Sequence, residues 1–316
     1  MNSRCLVHIG YHKTATTWLQ RELFSRSNKS FYPLSETDDP KPLGRFFIYD
    51  KEGYLLSPFQ SRRDEFVEEL DRIQTLHENE TRIGVISNER LSGNPHSGGF
   101  DARLIADRIH ESLPNATILC VVRRQQDKIL SMYMQYLKAG GTDSLRNYLY
   151  RTYDGKRPGF SPGHLDYIHL VNHYTELFGE DQVLVLPYEL FRESATEFIR
   201  ILGETLSIDA EIPAQTAGKF HNKHLSDFPR LFMPGLNALA IRSSLNGYSP
   251  LRIPGFVRLL GLIRRGSAWF AGGMTQRRRN RMKTLIDSFV GDRYAAGNRL
   301  LGDRMKMDLS RYGYHD

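Results

Sequence analysis

Four short runs of branched apolar residues constrain this chain more than any other feature: Cys5 to Ile9, Ile83 to Ser87, Thr117 to Val122 and Val183 to Leu186. Each is apolar at nearly every position, the pattern of strands buried on both faces rather than strands with one wet side. Around them, Glu65 to His77, Ala102 to Ser112, Asp127 to Ala139, Leu165 to Phe178 and Ala195 to Leu202 carry apolar residues at three- and four-residue spacing, as helices with one buried stripe do. Strands alternating with helices predict an α/β fold with a central parallel sheet, right-handed crossovers and helices on both faces. Ligands bind such sheets beyond the carboxyl ends of the strands, so the chemistry is expected there.

The chain of 316 residues is 40% apolar and 25% charged, which excludes disorder as its main state. Its two cysteines, Cys5 and Cys120, lie far apart inside apolar runs; this suits buried thiols and excludes a disulfide scaffold. The 43 Lys and Arg against 36 Asp and Glu give +7, which favours anionic ligands without choosing among them. The start, MNSRCLVHIGYHKT, has no apolar h-region, and no run approaches the ~18 apolar residues of a spanning helix, so a cytoplasmic protein is expected. Phe31 to Ser61, Leu91 to Phe100 and Gly140 to Gly163 read as long loops, a length that usually carries function. Beyond about residue 210 the strand signal fades into a Pro-, Gly- and Arg-rich tract ending at Gly273, followed by a last helical stretch, Gln276 to Val290. With no internal repeat and no linker, residues 1–316 read as a single domain with an elaborated helical C-terminal part from about 210.

The first strand runs directly into Gly10-Tyr11-His12-Lys13-Thr14-Ala15-Thr16-Thr17-Trp18-Leu19, after which Leu19, Leu23 and Phe24 continue at helical spacing. Strand, tight loop and helix form an anion site from backbone N–H groups, with hydroxyls from Thr14, Thr16 and Thr17 and a full charge from Lys13. A phosphate-type group belongs there. The spacing is not that of a Walker A loop, in which the lysine follows the first glycine by six and directly follows another; Lys13 follows Gly10 by three. Trp18 lies off the stripe through Leu19 and Leu23, and two readings stay open for it, facing a ligand or packing partly buried.

A second anion site follows the third run. Val121-Val122 ends in Arg123-Arg124, and the helix beginning near Asp127 presents Ser131 in its early turns, eight residues after Arg123. A strand-end arginine and a hydroxyl on the next helix converge on one phosphate; Arg123 has better register than Arg124.

With these residues in view, the chain resembles the sulfotransferases that use 3′-phosphoadenosine-5′-phosphosulfate (PAPS). Their 5′-phosphosulfate loop has the form Lys-Ser/Thr-Gly-Thr-Thr-Trp, and Lys13 to Trp18 match it except that Ala15 stands where glycine is usual. Alanine there requires φ below zero or mild strain. The family's 3′-phosphate site has an Arg, seven intervening residues and Ser, as Arg123 and Ser131 do. Outer segments are also similar to bacterial sulfotransferases thought to act on carbohydrates: Ile86 to Gly93, Tyr136 to Thr142, Val185 to Glu189 and Asp308 to Tyr314. The resemblance implies a P-loop-NTPase-like three-layer fold. It also implies sulfuryl transfer from PAPS, leaving 3′,5′-adenosine bisphosphate (PAP), to a hydroxyl on a glycan or glycolipid. Nucleotide contacts would come from Lys13, Thr14, Ala15, Thr16, Thr17, Trp18, Arg123 and Ser131. Lys13 also acts on the transferred group, and the general base is Glu89 or, as the rival, His12.

No metal is required by this reading, since neither a Walker A nor a Walker B pattern is present. His169 and His173, with His164 upstream, have zinc-like spacing without the accompanying carboxylate and read as structural. The basic loop His221-Asn222-Lys223-His224, after Lys219, reads as solvated. Residues 251–281 mix apolar residues with arginines: a helical subdomain with snorkelling arginines is favoured over a surface that docks the protein at the inner membrane face. Tyr32, Phe46, Phe47, Tyr49, Tyr54 and Phe59 are candidates to stack on a sugar or line an aryl pocket. Two other classes remain: an ATP- and magnesium-dependent small-molecule kinase of related fold, and a basic membrane- or nucleic-acid-binding protein, although no nucleic acid is expected.

Overall fold

Five parallel strands lie side by side in the order β2-β3-β1-β4-β5: β1 (Cys5–His8), β2 (Phe31–Pro33), β3 (Ile83–Ser87), β4 (Thr117–Val122) and β5 (Val183–Pro187). The structure is a computed structural model that describes residues 5–35, 43–48, 59–77, 81–151, 159–210 and 272–315. All four runs of branched residues are strands of this one sheet. The central strand, β1, pairs with β3 on one side and β4 on the other, so the connections diverge at its carboxyl end and open a crevice there.

Alternate residues of each strand feed two cores. Val7, Ile86, Ile118, Cys120 and Val122 face one, shared with Phe66, Ile105, Ile129, Met132, Tyr167 and Val171. Leu6, Ile83, Val85, Leu119 and Val121 face the other, with Leu19, Leu23, Phe24, Phe198 and Leu202. The first core is covered by α2 (Phe59–Leu76), α3 (Ala102–Ser112), α4 (Gln125–Lys138), α5 (Leu145–Tyr150) and α6 (Tyr167–Phe178). The second is covered by α1 (Thr16–Trp18) with its continuation, and by α7 (Tyr188–Glu193) and α8 (Ala195–Leu206). This is the expected three-layer α/β architecture. The C-terminal helices α9 (Gly272–Val290) and α10 (Ala295–Met305) add Ile286, Phe289, Val290 and Leu301 to the first core.

The structure corrects two loop assignments. Phe31 to Ser61 is not all loop: Phe31–Pro33 is the edge strand, pairing with Ile83 to Val85. Three residues ending in proline carry too little pattern to read as a strand, and proline is tolerated because, among the described residues, one edge of β2 makes no ladder. Within Gly140 to Gly163, Leu145–Tyr150 is helical; the Ser144 hydroxyl caps it by accepting from the Asn147 N–H at 3.2 Å, and Leu145, Tyr148 and Leu149 are buried. Both cysteines are free and buried, and burial pushes their thiols up to about 12. Tyr32 and Phe47 belong to the core rather than to a ligand surface. Tyr49, Tyr54, the 219–224 loop and residues 251–271 lie outside the described residues. Among the described residues, no helix is long and apolar enough to cross a membrane.

Candidate active site

The loop from Gly10 to Thr17 leaves the sheet at its centre. The Ile9 N–H donates to the Leu119 carbonyl at 3.0 Å and the Tyr11 N–H to the Val121 carbonyl at 3.3 Å, so β1 stays tied to β4 until Tyr11. Gly10 is dictated by space, since a Cβ there would lie 2.4 Å from His8 Nε2. His8 is fully buried, its Nδ1 is 2.7 Å from the Ser87 hydroxyl, and burial lowers its pKa to about 3, so the ring is neutral.

The loop then takes two left-handed residues in quick succession, Lys13 at φ 70° and Ala15 at φ 63°. Ala15 therefore adopts the strained alternative, at a cost of roughly 1–2 kcal/mol for a residue carrying a Cβ. The Thr14 hydroxyl is spent inside the loop, donating to the Tyr11 carbonyl; it is not available to an anion, which leaves the Thr14 amide as that residue's candidate donor. Among the described residues the buried Thr16 Oγ1 has no partner, and Thr17 is exposed. Trp18 is half-buried and packs edge-on against Phe191, with ring centroids 5.0 Å apart. Beyond it the backbone widens into a π-turn, Leu19–Leu23, closed by the Phe24 N–H donating to the Leu19 carbonyl at 2.7 Å. The wider turn brings Leu19, Gln20, Leu23 and Phe24 all inward; Gln20 Nε2 donates to the Ser87 carbonyl at 3.0 Å.

Two cations from the segment after β4 close on this loop. Arg123 Nη1 donates to the Lys13 carbonyl at 3.0 Å, while its guanidinium lies 4.9 Å from the Tyr188 ring centroid and its buried Nε has no partner among the described residues. The strand-end arginine and the lysine loop, 110 residues apart, are thus in direct contact. Arg124 is committed elsewhere, to Asp127 at 2.8 Å. Ser131 stands half-buried on the second turn of α4.

The second cation, Lys128, has no exposed surface; its Nζ donates to the His12 carbonyl and lies 5.3 Å from the Tyr11 ring centroid. Sequence reasoning missed it. The available signal was a charged residue spaced by four from Met132 and by eight from Tyr136, on the buried stripe of α4. Burial, reinforced by the charge of Arg123, holds the ammonium well below the ordinary lysine value of 10.5.

Glu89 opens the short 3-10 turn Glu89–Ser92 immediately after β3 and is half-buried. It interacts electrostatically with Lys128, whereas its neighbour Arg90 pairs with Asp101. His12 sits among Lys128, His96, His164 and Lys13; burial first, and then those charges, lower its pKa to about 2. His96 and His164 are likewise lowered, to about 4 and about 3, mainly by burial. His169 pairs with Asp166 and His173 with Asp107. Among the described residues, no group of three or more His, Cys, Asp or Glu is placed to hold a metal.

Glu189 is the other residue the sequence did not single out by role. In the first turn of α7 it accepts from the Arg124 N–H at 3.2 Å and from the Tyr314 hydroxyl at 3.0 Å, joining two distant outer segments beside the arginine pair.

No protein-family model matches the chain, and no curated protein matches it in sequence. Solved structures do match. A sulfotransferase from Alicyclobacillus acidocaldarius is 20% identical over 75% of this chain and 94% of its own, with a TM-score of 0.49. The sulfotransferase domain from the curacin biosynthetic pathway is 14% identical over 91% and 97%, with a TM-score of 0.38. Mouse sulfotransferase SULT7A1 complexed with PAP is 14% identical over 91% and 86%, also at 0.38. All three are sulfotransferases. At 20% identity and below, the activity of this chain must be argued from its own residues.

Proposed function

We propose that this protein is a PAPS-dependent sulfotransferase that moves the sulfuryl group to a hydroxyl by in-line displacement. The observation that carries the proposal is the bond from Arg123 to the Lys13 carbonyl, which puts both anion motifs at one edge of adjacent strands. Arg123 and the buried Lys128 both close on the Lys13 loop, and among the described residues the buried Arg123 Nε and Thr16 Oγ1 have no partner; this donor set suits a ligand with two anionic ends. Lys13 and the amides of residues 14 to 17 would hold the 5′-phosphosulfate, and Arg123 with Ser131 the 3′-phosphate.

In this reading the acceptor oxygen bonds to sulfur as the bond from sulfur to the 5′-phosphate oxygen breaks. The acceptor proton passes to a general base, and PAP leaves. Catalysis comes mainly from positioning and from charge stabilisation on the leaving oxygen, where Lys13 would act. Glu89 is favoured as the base. An imidazole lowered to about 2, as His12 is, holds a proton too weakly to draw one from a hydroxyl near neutral pH. A glycan or glycolipid hydroxyl is proposed as acceptor on the similarity of the outer segments to carbohydrate sulfotransferases; the buried Tyr32 and Phe47 do not contribute to that site.

Thermal denaturation with PAP, and separately with ATP and magnesium, tests the donor. Stabilisation by PAP alone is expected. Stabilisation by ATP with magnesium and not by PAP would establish the kinase alternative.

A further inference from the structure

We propose that Lys128 is the positioning residue of the anion loop, its ammonium fixing the His12 carbonyl and with it the left-handed turn that follows. The inference rests on the reading that an anionic nucleotide binds at this loop. A lysine without exposed surface normally meets a carboxylate; the hydrogen bond of this ammonium goes instead to a backbone carbonyl, over the face of Tyr11.

Arg123 treats the next carbonyl, that of Lys13, in the same way. Because a trans peptide points its C=O and the following N–H in opposite directions, holding the carbonyls of residues 12 and 13 sets the amides of Lys13 and Thr14 on the other side of the loop. Lys13 at φ 70° and Ala15 at φ 63° keep the loop in a shape that its residue types disfavour, so it needs such anchors.

The arrangement has a thermodynamic consequence. The groups that face the Lys128 ammonium are Arg123 and Cys120 from β4 and its end, Lys13, His12 and Tyr11 from the loop, Glu89 after β3, and His96 and His164. Burial lowers the three imidazoles to about 2, 4 and 3 and pushes the Cys120 thiol up to about 12. A dianion on the loop offsets the repulsion from Arg123 and Lys13, so Lys128 holds its proton more tightly in the complex. Binding therefore takes up protons in the pH window between the values of the free and bound states, and affinity falls as pH rises through that window.

Titration calorimetry with PAP, in buffers of different ionisation enthalpy, tests this on the wild type, Lys128→Met and Lys128→Arg. The wild type is expected to take up protons in one window of pH. Lys128→Met should bind roughly ten- to a hundredfold more weakly at neutral pH with that uptake gone; Lys128→Arg should restore affinity without the pH dependence. Should Lys128→Met fail to fold, the wild-type proton uptake still decides. A wild type that binds PAP with no proton uptake, or a Lys128→Met variant within twofold of wild-type affinity, overturns the role of Lys128. A wild type that binds no PAP overturns the nucleotide reading itself.

Discussion

Replacing Gly10 with alanine tests whether the loop leaves the sheet where it does because His8 occupies the space beneath it. The new Cβ would stand 2.4 Å from His8 Nε2, and the ring cannot step aside, since it is fully buried and its Nδ1 is 2.7 Å from the Ser87 hydroxyl. Overpacking costs about 1–3 kcal/mol, and loss of the His8–Ser87 bond adds about 1 kcal/mol. The expected destabilisation is therefore about 3 kcal/mol. In urea denaturation the midpoint should fall with the slope unchanged, and thermal unfolding should drop by roughly 4–5 °C. The double variant His8→Ala with Gly10→Ala removes the obstruction, so the two changes should be strongly non-additive. A loss below ~0.5 kcal/mol for Gly10→Ala, or simple additivity in the pair, would refute the reasoning.

Ala15→Gly should relieve roughly 1–2 kcal/mol of left-handed strain and return about 0.4–1 kcal/mol in chain entropy, a net gain of about 0.5 kcal/mol by chemical denaturation; Ala15→Val should be destabilising. Lys13→Ala and Arg123→Ala should each abolish transfer from labelled PAPS while circular dichroism stays native. Glu89→Gln should keep PAP affinity and lose about 10²–10⁴-fold in kcat, the span of general base catalysis; unchanged turnover would move the base to His12. Burial holds the Glu189 carboxyl above its ordinary value of 4.5. In the window just above that value the folded chain keeps a proton that the unfolded chain has released, so stability falls as pH rises. Denaturation midpoints across pH should show that slope in the wild type and lack it in Glu189→Gln.

The sheet was legible because strands buried on both faces must be apolar at every position, which makes Thr117 to Val122 and Ile83 to Ser87 readable to the residue. The edge strand was not, because three residues with Pro33 carry no period. Lys13 and Arg123 were legible as motif positions, but their meeting through a backbone carbonyl belongs to the pairing of β1 with β4, which local sequence does not encode. Lys128 was hidden for a related reason. A lysine in an amphipathic helix reads as solvated, and only the stripe it shares with Met132 and Tyr136 showed that it is buried.

The central claim is that one nucleotide bridges the Lys13 loop and Arg123, and a crystal structure of the protein with PAP tests it most directly. The account predicts the 5′-phosphate against Lys13 and the amides of the loop, and the 3′-phosphate against Arg123 and Ser131. PAP bound with either phosphate away from these residues, or in another cleft altogether, would contradict it.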